Sequence, residues 1–236
     1  MNTGLRERRS FLSRIAAGAA ILSGTVFKSQ PAAAQSSSTA SGAARWQPAR
    51  HTQDDWLDQI PGSHRFIIDS TSASGLGSAL AFANNFFVAN QQGYGLGNAD
   101  AAVVVVLRHN STGFAFTDAM WAKYGGAMGE AAGNFDDPKT KAKPTLNVYN
   151  SNNYLGVLPN NGVTLDALVG RGVRFAVCQM ATRRFAGAIA AAHKLDVEAV
   201  YKELTSNLVR NSHMVPAGIV AVNRAQERGY AFANAG

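Results

Sequence analysis

Residues 101–107, Ala-Ala-Val-Val-Val-Val-Leu, form an unbroken apolar run that predicts a β-strand buried on both faces. Such runs are typical of parallel sheets, in which helices cover both faces, whereas a strand with one solvated face alternates between apolar and polar residues. The polar residues Arg108 and His109 follow directly and end the strand. We therefore expect an α/β domain in which this strand lies inside a parallel sheet.

Strands and helices alternate through the rest of the chain. Strands are predicted at residues 64–70, 173–178 and 212–215, with a last edge strand at 230–232. Helices are predicted at residues 76–92, 114–124, 164–169, 182–193, 196–208 and 219–228. Because parallel strands need a crossover connection, usually a helix, this order favours a parallel sheet with helices on both faces and right-handed crossovers.

Cys178, the only cysteine, ends the predicted strand 173–178 and directly precedes a helix. Ligands of open α/β sheets gather outside the carboxyl ends of the strands. The unpaired N–H groups at a helix N-terminus favour the thiolate, which is the nucleophilic form of cysteine. Cys178 is therefore a candidate nucleophile. The alternative is a small, inert, apolar core residue, which a free cysteine often is.

Arg108 and His109 follow their own strand and are the other candidate site residues. If the predicted strands are parallel and adjacent, Asp69, His109 and Cys178 lie at one edge of the sheet, within roughly 5–12 Å of one another. His109 would then be close enough to influence the charge of the thiol, although a hydrogen-bonded structural histidine is equally compatible with the pattern. Arg108 is expected on the opposite face of its strand unless the chain has already turned.

Residues 1–34 are predicted to be a twin-arginine signal peptide. Arg8-Arg9-Ser10-Phe11-Leu12 resembles the export motif, an apolar run follows at 15–26, and Ala32-Ala33-Ala34 is a cleavage pattern. The mature protein is therefore expected in the periplasm, with membrane contact only through the export signal. The apolar run is too short and too interrupted by glycine and serine to span a bilayer of about 30 Å stably, although an uncleaved anchor is the alternative.

Replacing Arg8 and Arg9 by lysine is expected to stop export, since the arginine pair is the recognised part of this signal type. Cell fractionation of the double variant should find the uncleaved precursor in the cytoplasm. Normal periplasmic yield from that variant would show that the protein takes another route.

Composition excludes several classes of function. The chain has 22 basic and 15 acidic residues, but residues 1–34 hold five of the basic ones and one of the acidic ones, which leaves a net charge of +3. That charge, without a basic stripe, predicts no nucleic-acid partner. A single cysteine excludes an internal disulfide and cysteine-cluster metal sites. Gly75 and Gly77 follow a strand, but Leu80 replaces the third glycine of the dinucleotide fingerprint, so a tight turn is favoured and no cofactor or metal is predicted.

Three regions are expected after the signal peptide. Residues 35–60 begin with a run rich in Ser, Ala and Gly, which predicts a flexible linker, and continue as an N-terminal arm with Trp46 and Trp56. Residues 61–236 fit one domain. Within that domain, residues 125–161 lack a clear period and are expected to cover the strand ends or to contact a neighbouring subunit.

Two segments resemble the DsrE/DsrF-like proteins of sulfur relay. They are Phe175-Ala176-Val177-Cys178 with Met180-Ala181, and the run 214–230, in which Val-Pro-Ala-Gly leads into a helix ending in Gln-Glu-Arg-Gly-Tyr. Leu107-Arg108-His109 and residues 118–124 are similar to an exported subgroup of that family. The resemblance covers about residues 62–233.

The resemblance implies a three-layer α/β/α fold with a mostly parallel five-stranded sheet, assembled as a homo-oligomer (trimer or hexamer). In relay members a strand-end cysteine carries sulfur as a persulfide, and Cys178 matches that position. A sulfur carrier or thiol transferase with a sulfane-sulfur donor or acceptor is therefore expected, with Arg108 and His109 supplying positive charge and a proton acceptor. The alternatives are a non-catalytic oligomeric protein that binds a small ligand beside an inert buried cysteine, and a nucleotide- or flavin-binding enzyme.

Overall fold

A single five-stranded sheet organises the chain in the computed structural model, which describes residues 46–236. The strands are β1 (His64–Ser70), β2 (Ala101–Leu107), β3 (Arg174–Cys178), β4 (Ser212–Val215) and β5 (Ala231–Asn234). Their order is β4-β3-β2-β1-β5, and all neighbours are parallel. The predicted α/β/α fold class is confirmed. The predicted signal peptide (1–34) and the predicted Ser/Ala/Gly-rich linker (35–44) lie outside the described residues.

Within the described residues, six α-helices accompany the sheet: α1 (Ala73–Tyr94), α2 (Asp118–Ala131), α3 (Leu165–Gly170), α4 (Gln179–His193), α5 (Val197–Ser206) and α6 (Gly218–Gln226). Thr164 and Asp196 cap α3 and α5 through side-chain hydrogen bonds of 3.1 and 2.8 Å, as their sequence positions predict. Within residues 46–236, no helix combines the length and apolarity needed to cross a membrane.

The two faces of β2 pack into two separate cores. Val103, Val105 and Leu107 point toward the core that includes residues of α1 to α5, whereas Val104 and Val106 point toward α6. The strand order explains this division. The chain moves from β1 to β4 in one direction and returns across the sheet to β5, so right-handed crossovers place α6 on the opposite face from the earlier helices.

The predicted helix at 114–124 is wrong in its first part. Residues 109–115 form a 3-10 helix, and α2 begins at Asp118 and continues to Ala131. The segment before α2 is held instead by backbone hydrogen bonds to residues 207–209, from Val209 N to Ala115 O (2.8 Å) and from Thr117 N to Asn207 O (2.9 Å). These long-range bonds compete with helix formation before Asp118. At its other end α2 includes residues 125–131, the first seven of the stretch 125–161 that was predicted to lack a clear period.

The rest of the stretch 125–161 packs on the start of α1 and on the segment before α2. The Tyr149 hydroxyl donates to Ala73 O at 2.5 Å, and the Asn147 side chain donates to Phe114 O at 2.8 Å and to Phe116 O at 3.0 Å. Because α1 follows the carboxyl end of β1, this segment covers one part of that edge of the sheet.

The arm before β1 packs against the α6 face. Leu57 is buried there, and the Tyr230 hydroxyl donates to Leu57 O at 2.7 Å. The fully buried side chain of Arg228 donates to Asp58 at 3.0 Å. Trp56 stacks on His213 with ring centroids 4.5 Å apart. These contacts fix residues 52–60 to the second core.

Candidate functional site

The carboxyl ends of β3 and β4 form a topological switch point. After β3 the chain continues into α4 on one face, and after β4 it continues into α6 on the other. Helices that leave neighbouring strands on opposite faces open a crevice between them, where α/β proteins bind ligands. A cavity of about 350 Å³ lies there. Its lining residues are Arg108, His109, Cys178, Met180, Ala181, Arg184, Ala217, Gly218 and Ile219.

Cys178 lies at the base of this cavity as the last residue of β3 and the N-cap of α4. Its Sγ accepts a hydrogen bond from Ala181 N at 3.5 Å, and its carbonyl accepts one from the Thr182 hydroxyl at 3.0 Å. Only 6% of the residue is exposed. The sulfur thus occupies the capping position of a helix, where the helix dipole stabilises negative charge.

Arg108 lies on the same face of the sheet as Cys178, so the expectation that it points to the opposite face is wrong. Leu107 pairs with Val177, and Arg108 and Cys178 each follow by one residue on neighbouring strands. The alternation of side chains therefore turns both toward α6, the face that Val106 and Ala176 also occupy. The turn after β2 instead redirects His109, whose φ of 57° is left-handed.

Asp69 fixes the Arg108 guanidinium. Arg108 Nε donates to Asp69 Oδ1 at 2.8 Å and Nη2 donates to Oδ2 at 2.7 Å, a bidentate pair. The Asp69 side chain is 3% exposed and that of Arg108 is 28% exposed. The hydrogen bond to Asp69 raises the pKa of Arg108, and negative charge on Cys178 would raise it further. The guanidinium is thus charged and held in place at the cavity.

The start of α6 closes the cavity directly above Arg108. A Cβ atom on Gly218 would lie 2.6 Å from Arg108 Cβ and 2.9 Å from Arg108 Cδ. Only glycine therefore lets the helix start this close to the guanidinium stem. The N-cap of α6, Ala217, provides no side-chain hydrogen bond to the first turn.

Arg184 is the cavity residue to which the sequence assigns no role. Its Nη1 donates to Ala131 O at 2.7 Å, and its Nη2 donates to His109 O at 3.1 Å and to Asn110 Oδ1 at 3.2 Å. Desolvation lowers the pKa of Arg184, while negative charge on Cys178 would raise it. Helical spacing could have identified it, because Arg184 follows Met180 by four residues and Ala181 by three and shares their face.

The structure thus brings all three predicted site residues, Cys178, His109 and Arg108, to one cavity. His109 is exposed at the rim of the cavity. Asp69 is linked to the cavity through its ion pair with Arg108. Another cavity, of about 180 Å³, lies at the amino ends of β3 and β4 and contains none of them. Among residues 46–236, no cluster of three or more His, Cys, Asp or Glu side chains could hold a metal ion.

Comparison of the chain with protein-family models, with curated proteins and with solved structures gives no match. Because one α/β fold supports many unrelated activities, the fold alone does not assign a function. The chemistry of the switch-point cavity is therefore the basis for the function proposed below.

Proposed function

We propose that the protein is a sulfur carrier or thiol transferase that holds sulfane sulfur on Cys178 as a persulfide. One observation carries the proposal: the only cysteine of the chain lies at the switch point of the sheet, in a cavity that it shares with two arginines and a histidine. Positive charge and a helix N-terminus beside a cysteine are the surroundings in which reactive cysteines are found.

The chemistry requires a thiolate and a donor with a weak sulfur–sulfur bond. The Cys178 thiol loses its proton, for which His109 at the rim is the candidate side-chain acceptor among the residues that line the cavity. The thiolate then attacks the sulfane sulfur of the donor, a new S–S bond forms, and the donor's S–S bond breaks with its electron pair leaving on the departing group. A second thiol can later take the terminal sulfur and release Cys178.

We expect intact-mass analysis after incubation with thiosulfate, tetrathionate or polysulfide to show a persulfide or thiosulfonate adduct that a reducing agent removes. Cys178→Ser should give no adduct, because a serine hydroxyl does not exchange with sulfane sulfur. Cys178→Ser also serves as the matched control for non-specific modification. An adduct that persists in this variant, or no adduct on the wild-type protein, refutes the proposal.

The burial of Cys178 favours a second candidate, a small-ligand-binding protein with an inert thiol. At 6% exposure, the sulfur can be reached only through the cavity. Slow reaction of Cys178 with a thiol reagent under native conditions, together with a ligand-induced rise in melting temperature, would support this candidate over sulfur transfer.

We further propose that the mature protein acts in the periplasm and self-associates. The export motif at residues 8–12 and the cleavage pattern at 32–34 support the location. Exposed apolar side chains support self-association, since Leu155 and Val157 in the segment 125–161 and Phe232 on the edge strand β5 all face solvent in the single chain.

A further inference from the structure

We infer that the sulfur donor is a small anion that carries its sulfane sulfur on an –SO₃ group, as thiosulfate and tetrathionate do, and that Arg184 and Arg108 bind this group beside the Cys178 thiol. The inference rests on the proposed sulfur transfer through Cys178 and names the substrate class of that reaction. Arg184 becomes a binding residue that the sequence alone did not indicate.

Arg184 brings a positive charge that no carboxylate neutralises within the described part of the chain. Its three hydrogen bonds go to two backbone carbonyls and one amide oxygen, all of them neutral. No Asp or Glu among residues 46–236 lies within ion-pair distance of it. Its neighbour Arg183, in contrast, pairs with Glu198 at 2.8 Å. A guanidinium held by neutral oxygens at the rim of a cavity favours an anionic ligand.

Arg108 adds a free donor to the same cavity. Asp69 occupies Nε and Nη2, and Nη1 makes no hydrogen bond to any residue in the range 46–236. The pairing therefore orients the guanidinium and leaves one nitrogen for a ligand. Because Asp69 neutralises much of the Arg108 charge, the net positive charge of the cavity comes chiefly from Arg184.

The walls of the cavity limit the size and shape of the ligand. Met180, Ala181, Ala217 and Ile219 are apolar and surround the polar groups. Such a lining, with a few converging donors, is typical of a small-molecule site. The α4 and α6 helices, of 15 and nine residues, both begin at the cavity, so their positive ends add to the arginines.

An –SO₃ group suits these donors better than a bare polysulfide chain. Its three oxygens accept several N–H hydrogen bonds at once, whereas sulfur is a weak acceptor. The reaction also places negative charge on the group that these donors bind. The Cys178 thiolate attacks the outer sulfur of thiosulfate, the S–S bond to the –SO₃ group breaks, and sulfite leaves with the electron pair. The products are the persulfide anion on Cys178 and sulfite, and total charge is conserved. Guanidinium groups stabilise the charge that accumulates on the departing sulfite.

The test compares Arg184→Gln with the matched control Arg183→Gln in the full mature chain. The rate of Cys178 modification is measured by intact mass with two probes, the dianion tetrathionate and the neutral hydroxyethyl disulfide. We expect Arg184→Gln to slow the tetrathionate reaction by about 10- to 100-fold, as for loss of a hydrogen bond to a charged group. The rate with the neutral probe should change little in Arg184→Gln. Arg183→Gln should react at the wild-type rate with both probes. Arg184→Lys should recover part of the lost tetrathionate rate.

Added salt should slow the tetrathionate reaction of the wild-type protein and leave the neutral probe unaffected. An equal loss with both probes would mean that Arg184 acts on the thiol itself, through its charge or through the fold around it, and does not bind the anion, which overturns the inference and leaves sulfur transfer standing. Unchanged tetrathionate rates in Arg184→Gln overturn it as well. If neither tetrathionate nor polysulfide modifies Cys178 in the wild-type protein, the proposed function itself fails, and the donor assignment fails with it.

Discussion

Arg108→Met is expected to lower the free energy of unfolding by about 3–5 kcal/mol, because it leaves a buried carboxylate without its partner. Asp69 is 3% exposed, and all three hydrogen bonds that its carboxylate accepts within residues 46–236 come from Arg108. Methionine fills the space of the arginine stem, so little of the loss reflects packing. Denaturant unfolding followed by circular dichroism measures the change.

Two controls separate the buried charge from a general sensitivity of the chain. Asp69→Asn should lower the free energy of unfolding by less than Arg108→Met does, since the Arg108 side chain is 28% exposed and can be solvated. The double variant should recover part of the loss. Arg210→Met removes an exposed pair with Asp166 and should change stability by less than about 1 kcal/mol. If Arg108→Met also lowered the free energy of unfolding by less than about 1 kcal/mol, that result would contradict a buried ion pair between Asp69 and Arg108.

Gly125→Ala is expected to destabilise the protein by about 3 kcal/mol, near the upper end of the range for overpacking. An added Cβ on Gly125 would overlap with the backbone carbonyl of Pro144. A carbonyl that belongs to the main chain cannot rotate away as a side chain can. The segment around Pro144 must therefore move off α2, and thermal unfolding should record a lower melting temperature.

The next residue provides the matched control. Gly126 is exposed on the same helix, and a Cβ there meets no atom within 4 Å. Gly126→Ala should raise stability by up to about 1 kcal/mol, because alanine loses less backbone entropy in a helix than glycine does. Opposite signs for two adjacent substitutions would localise the effect to the contact with Pro144. Equal effects would argue against that close contact.

The central strand β2 was predictable because burial on both faces requires an unbroken apolar run in the sequence. The valines of β2 have no polar residue between them, and the structure gives β1, β2 and β4 the bounds predicted from the sequence. The start of the helix at 114–124 was misplaced because Phe116, Met120 and Tyr124 recur at helical spacing, although Phe116 lies in the extended segment before α2. What decides between the two is hydrogen bonding to residues 207–209, a contact that local sequence does not contain.

The candidate site was predictable in part for a similar reason. The carboxyl ends of parallel strands share an edge, so Cys178 and His109 could be expected together before any strand order was known. The face that Arg108 shares with Cys178 follows from the register of β2 against β3, which pairs Leu107 with Val177 and is not contained in either strand alone. The place of Arg184 in a cavity depends on α4 and α6 lying on opposite faces of the sheet, which follows from the return of the chain to β5.

That return of the chain also sets an order of folding. β1 lies between β2 and β5, and the bond from Tyr230 to Leu57 joins residues 173 positions apart in sequence. Contacts of such separation carry a large loop-closure cost, so β1, β2 and β3 are expected to pair before α6 and β5 dock. Until then one edge of β1 and one apolar face of β2 remain open to solvent. Ala217, Gly218 and Ile219 complete the cavity only in the last step, so the thiol becomes part of a binding site only once the whole domain has assembled.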